Sequence, residues 1–128
     1  MDLLKELLEN NYSLVCSNGY KSLDSGIKPI ITKLNEDLWY FKGEEVADKI
    51  IGKAAAMLFV LSGVKKVNAV VMSKGGQAIL EKYHIEYSYQ TLCDSIINRK
   101  GDDICPMEKT VKDIDDLNEA YLALKEKV

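Results

Sequence analysis

The run Val67-Asn68-Ala69-Val70-Val71-Met72 constrains the fold of this chain more than any other segment. It is too short for a buried helix and almost continuously apolar. That is the pattern of a strand covered on both faces, which occurs in parallel sheets whose crossovers are helices. Helical patterns flank it, Glu44 to Leu61 closed by Ser62-Gly63 on one side and Ser73 to Tyr83 on the other. Upstream, residues 2 to 10 form a helix, and Tyr12–Cys16 and Tyr20–Leu23 flank Ser17-Asn18-Gly19, whose Asn-Gly step marks a hairpin. Gly26 to Leu34 reads as a short helix with Pro29 in its first turn, and Leu38-Trp39-Tyr40-Phe41 as a strand ending at Gly43. Downstream come a strand from Ile85 to Tyr89, a helical turn from Leu92 to Ile97, and a closing helix from Asp115 to Lys127. The order α-β-β-α-β-α-β-α-β-α predicts one α/β domain over residues 1–128. It is a three-layer α/β/α sandwich whose mixed sheet has about five strands.

Charge and length narrow the function classes. The 128 residues suffice for one core, and a net charge of -3 argues against duplex DNA or RNA, whose binders carry a basic surplus. The start Met1-Asp2-Leu3-Leu4-Lys5-Glu6 lacks the charge order of a signal peptide, and no apolar run is long enough to span a membrane. A cytoplasmic location is therefore expected. Cys16, Cys93 and Cys105 are odd in number and widely spaced, so no disulfide framework is expected; Cys16 and Cys93 lie in apolar patterns and read as packing residues. His84, the single histidine, reads as a surface turn residue.

Two segments carry chemistry. Cys105-Pro106-Met107-Glu108 reads as a helix start, since proline suits the first helical position; this puts a thiol at the cap, where it can be a nucleophile, hold a ligand or simply pack. Glu108 then completes a capping box with residue 105, or carries a proton. In Ala47-Asp48-Lys49-Ile50-Ile51-Gly52-Lys53-Ala54-Ala55-Ala56, read as helical, Lys49 and Lys53 lie four apart along one edge of the packing face and suit an anionic ligand. Asp48 is either a first-turn dipole partner or a proton carrier. Arg99, Lys100 and Gly101, just before Cys105, suit an anion-binding nest or a charged surface loop.

With both segments in view, the chain resembles the cytidine-deaminase-like fold. It is most similar to a small prokaryotic family of uncharacterised function with that fold, marked by an Ala-Asp-Lys-hydrophobic-hydrophobic-Gly-Lys-Ala-Ala segment and a Cys-Pro-Met-Glu turn, here Ala47 to Ala55 and Cys105 to Glu108. By position the resemblance makes Asp48 the counterpart of the deaminase proton shuttle. The zinc chemistry of true deaminases does not carry over: the first helix start reads Val46-Ala47-Asp48 with no ligand at the histidine position, and the second offers one thiol and one carboxylate where two thiols belong. No metal and no cofactor are expected.

Two functions fit these residues. In the first, a small anionic, nucleotide-like ligand binds between the Lys49/Lys53 segment and the Cys105 turn, with or without thiol chemistry in which Cys105 is the nucleophile and Asp48 or Glu108 the proton carrier. In the second, the domain is a non-catalytic interaction or scaffold module. Trp39, Tyr40 and Tyr87 could line a subunit face of a homo-oligomer or lie on the sheet.

Overall fold

A seven-residue helix, α1 (Leu3–Glu9), opens the chain, its N-terminus capped by the Asp2 carboxylate accepting from the Lys5 N–H at 3.1 Å. A hairpin of β1 (Leu14–Cys16) and β2 (Lys21–Ser22) follows, with Gly19 at φ 100° in its turn. Helix α2 (Lys28–Glu36) leads to β3 (Glu45–Ile51), α3 (Lys53–Ser62), β4 (Lys66–Ser73), α4 (Lys74–Lys82), β5 (Glu86–Cys93), α5 (Pro106–Val111) and α6 (Leu117–Lys125). The computed structural model describes residues 2–98 and 100–128.

The strands form one mixed sheet in the order β2-β1-β3-β4-β5. β1 is antiparallel to both β2 and β3, while β3, β4 and β5 run parallel. Alternation along the strands divides the core. Leu14, Cys16, Val46 and Ala69 join the large cluster built with α2 to α6, whereas Val15 and Ala47 pack with Leu3 and Leu7 of α1. The outer layers are thus unequal, a single helix on one face and five on the other. At the centre of the thick layer lies α3, where every residue from Ala54 to Phe59 is buried and the three alanines permit close approach of neighbouring elements.

Three predicted elements are corrected. The helix expected from Glu44 to Leu61 divides into a strand, a glycine and a helix, so Asp48 and Lys49 lie on a central strand. Val46, Ile50 and Ile51 are β-branched, and pairing on both sides with β1 and β4 outweighs the helical preference of Ala47 and Lys49. Leu38 to Phe41 form successive turns instead of a strand, closed by Tyr40 N–H to Asp37 C=O at 3.0 Å and Lys42 N–H to Trp39 C=O at 2.9 Å. The apolar signal there is an aromatic cluster. The rings of Tyr40 and Phe41 meet edge to face at 5.0 Å, and Phe41 meets Phe59 at 5.3 Å. The helical turn expected from Leu92 to Ile97 is also absent, since β5 continues to Cys93 and bends follow.

Candidate functional site

A cleft of about 460 Å³ opens beside the carboxyl end of β3. Its walls come from three places: Asp48, Lys49 and Ile50 of the strand with Gly52 and Ala55 beyond it, the segment 25–28 before and into α2, and residues 96–98 with the Cys105–Glu108 turn. The lining is mostly aliphatic, from Ile27, Ile50, Ile96, Ile97 and Met107, with Lys28 and Lys49 as its cations.

Asp48 is the unusual group in this wall. It is only 6 % exposed, and it forms no ion pair among the described residues. The neighbouring Lys49 cannot neutralise it, because successive strand residues point to opposite faces; the Lys49 ammonium donates to Asn11 Oδ1 at 2.6 Å. Burial pushes the Asp48 carboxyl up to about 8, and backbone N–H groups of Ile50 and Lys49 offset only part of that cost. The Ile50 N–H donates to Asp48 Oδ1 at 3.2 Å. At neutral pH the group is therefore mainly a neutral carboxylic acid, able both to donate and to accept a hydrogen bond.

Glu108 does not close a capping box on residue 105. Its carboxylate crosses to α3, where Oε1 accepts from the Lys53 N–H at 2.7 Å and Oε2 from the Ala54 N–H at 2.9 Å. It caps a helix distant in sequence, satisfying N–H groups that the side-chain-less Gly52 cannot. Gly52 is required for this approach, since a Cβ there would stand 2.1 Å from Glu108 Oε1. Burial raises the Glu108 carboxyl, while the Ala54 and Lys53 N–H groups and the Lys53 charge act in the opposite sense. Gly76 provides the matching close approach from α4, where a Cβ would lie 2.9 Å from the Ile51 carbonyl oxygen.

Cys105 is half-buried on the cleft wall at the N-cap of α5, with no side-chain capping bond. Its N–H donates to Ile96 C=O at 2.9 Å, which ties the turn to residues 96–98 in the same wall. α5 has only six residues, so its dipole is a weak aid to a thiolate. Cys16 is buried, and burial pushes its thiol up to about 11; Cys93 is half-buried and also raised by burial.

The structure brings Asp48, Cys105 and Glu108 to one cleft, with Lys49 on its lining. Lys53 is drawn away, its ammonium donating to the Lys112 carbonyl at 3.1 Å, so the expected pairing of Lys49 and Lys53 on one helix face does not exist. Lys100 and Gly101 belong to a separate surface loop. There the Gly101 and Asp102 N–H groups both donate to Asn98 Oδ1, at 2.8 and 3.3 Å, which commits the donors an anion nest would use. Arg99 lies outside the described residues. Lys28 and Ile96 carried no signal that sequence reasoning could use, whereas Gly52 did, as a glycine directly after Ile50-Ile51, and Met107 did, as part of the Cys-Pro-Met-Glu turn. Among the described residues no group of three or more His, Cys, Asp or Glu side chains could hold a metal ion, and no helix is long and apolar enough to cross a membrane.

Comparison with known proteins agrees with this architecture. The crystal structure of a DUF1893 family protein (TM1506) from Thermotoga maritima superposes with a TM-score of 0.88 at 28% identity, covering 98% of this chain and 86% of that one. No curated protein matches the chain. The family described as TM1506, domain of unknown function (DUF1893), matches residues 2–128, and the chain belongs to that family.

Proposed function

We propose that this domain binds a small ligand in the Asp48 cleft, a molecule with a flat, weakly polar body and an anionic group, as in a nucleotide. One observation carries the reading: Asp48 is a buried carboxyl without a cationic partner, placed on the wall of an open cleft. Burying such a carboxyl costs the fold stability at neutral pH, and buried ionisable groups with strongly displaced pKa values cluster at functional sites. The neutral acid offers a donor and an acceptor side by side, which suits the amide-like edge of a heterocycle. The aliphatic walls suit its faces, and Lys28 supplies a cation for the anionic group. The resemblance of the element order to the cytidine-deaminase-like fold supports the same ligand class.

If chemistry follows binding, Cys105 is the available nucleophile and Asp48 the proton carrier. Glu108 is excluded from that role while both its oxygens hold α3. Unfolding of the protein against nucleosides, nucleotides and sugar phosphates tests the proposal. One class should raise the stability by roughly 2.7 kcal/mol at about 100 times its dissociation constant, and the gain should shrink in Asp48→Asn. No gain with any class removes the proposal. A scaffold function draws on a different observation, the exposure of Ile50, Ile97 and Val128 around the same cleft, and it predicts no gain with any small molecule.

A further inference from the structure

The two edges of the sheet are built differently. β2 ends one side with only Lys21 and Ser22, and a short strand bearing lysine is a poor template for pairing. β5 ends the other side with eight residues, from Glu86 to Cys93. Past Glu86 it holds no charge, no proline and no glycine: Tyr87-Ser88-Tyr89-Gln90-Thr91-Leu92-Cys93. None of its residues is buried, although its inner edge pairs with β4 from Glu86 to Tyr89 and again from Thr91 to Cys93. Natural edge strands of this length carry a lysine, a proline, a bulge or a covering element. Among the described residues β5 has no pairing partner on its outer side.

We propose that β5 is a homodimer edge, pairing antiparallel with β5 of a second copy to form a continuous ten-stranded sheet. A two-fold axis perpendicular to the sheet reverses the strand and keeps its faces, so each residue meets one of its own parity. With the axis at Tyr89, Ser88 lies opposite Gln90 of the second copy, Tyr87 opposite Thr91, and Glu86 opposite Leu92. No like charges meet. Just beyond the paired run, Asp94 comes opposite His84 of the second copy. Each end of the strand carries an internal ion pair, Lys66 with Glu86 at 3.1 Å and Lys74 with Asp94 at 2.9 Å. Antiparallel pairing sets the first of these beside the second of the other copy, and the Glu86 and Asp94 carboxylates that then lie diagonally across the seam are each neutralised by their own lysine.

The aromatic side chains agree with this register. Tyr87 and Tyr89 stand on the α4 face with their rings stacked, 13° from parallel and 6.4 Å between centroids. The Tyr87 hydroxyl is held between Gln77 and Glu81 of α4, accepting from the first at 3.1 Å and donating to the second at 2.7 Å. Tyr89 is 39 % exposed and has no ring beyond it. The two-fold supplies that ring as Tyr89 of the second copy, which turns two stacked tyrosines into a row of four across the seam. A second copy is favoured over a foreign strand because one register supplies the missing ring and pairs the open backbone, while the acids at both corners keep their own lysines.

Light scattering on the eluted 128-residue protein reads the outcome. The expected mass is about twice 14.4 kDa at tens of micromolar, falling to one chain in Tyr89→Lys and in Gln90→Lys with the circular dichroism spectrum unchanged. A disulfide between copies should form in Tyr89→Cys combined with Cys93→Ser, where the axis brings the new thiols together, and this holds even if a lysine variant fails to fold. A monomer at every concentration overturns the proposal, including the case in which a foreign strand uses the edge. A dimer whose mass neither folded lysine variant changes overturns it equally.

Discussion

Replacing Asp48 by asparagine should stabilise the protein at neutral pH, and the size of the gain follows from burial. The folded carboxyl is raised from 3.8 to about 8. Unfolding at pH 7 releases it to water, where it ionises, and this ionisation favours the unfolded chain. Because the folded value is the higher one, the stability the carboxyl confers is fully present below its ordinary value and is lost as pH rises from there through about 8. At pH 7 the loss spans about three pH units at about 1.36 kcal/mol each, or about 4 kcal/mol. Asparagine keeps the oxygen that accepts from the Ile50 N–H at 3.2 Å and cannot ionise, so it escapes that loss. Urea unfolding of both proteins from pH 3 to pH 8 should give curves that coincide near pH 3 and separate by about 4 kcal/mol at pH 7, with equal m-values. Curves that stay together across the range, or Asp48→Asn as the weaker protein at pH 7, would refute the argument that a charge-averse pocket surrounds this residue.

Other consequences concern the α3 cap and the thiols. Gly52→Ala places a Cβ at 2.1 Å from Glu108 Oε1, so the carboxylate must leave the Lys53 and Ala54 N–H groups; urea unfolding should show a loss of about 3 kcal/mol. Glu108→Gln retains one accepting oxygen and should lose about 1 kcal/mol, whereas Glu108→Ala loses the whole cap at about 2 kcal/mol. Alkylation followed by mass spectrometry should modify Cys105 in the native state and Cys16 only after unfolding, given the burial of Cys16 and its thiol raised to about 11; a ligand that fills the cleft should slow modification at Cys105 alone.

Most of the element order was readable because those signals are local. Asn18-Gly19 forces a turn, Gly63 ends α3 at φ 85°, and the apolar run at 67–72 demands two covered faces. The β3 segment was not readable, because Ala47, Asp48 and Lys49 favour helix locally and only pairing with β1 and β4 makes them a strand. The error carried into the site. A helix would have put Lys49 and Lys53 together, while the strand separates them and buries the aspartate between Ala47 and Lys49.

The Cys105 turn stands where the sequence places it, at the start of α5, but Glu108 caps α3 and not its own helix. Glu108 looked like a partner of its own helix because the spacing fits a capping box, and no spacing rule reports a carboxylate reaching a helix fifty residues away. Its true partner is marked only by Gly52, which a helical reading treats as an interior glycine.

The direct measurement is a carbon-13 titration of the Asp48 side-chain carboxyl in the folded protein. The account predicts a midpoint near 8, with the resonance remaining that of a neutral acid through pH 6. A midpoint near 4 would mean that Asp48 is solvated or paired with a cation, and the ligand reading of the cleft would lose its foundation.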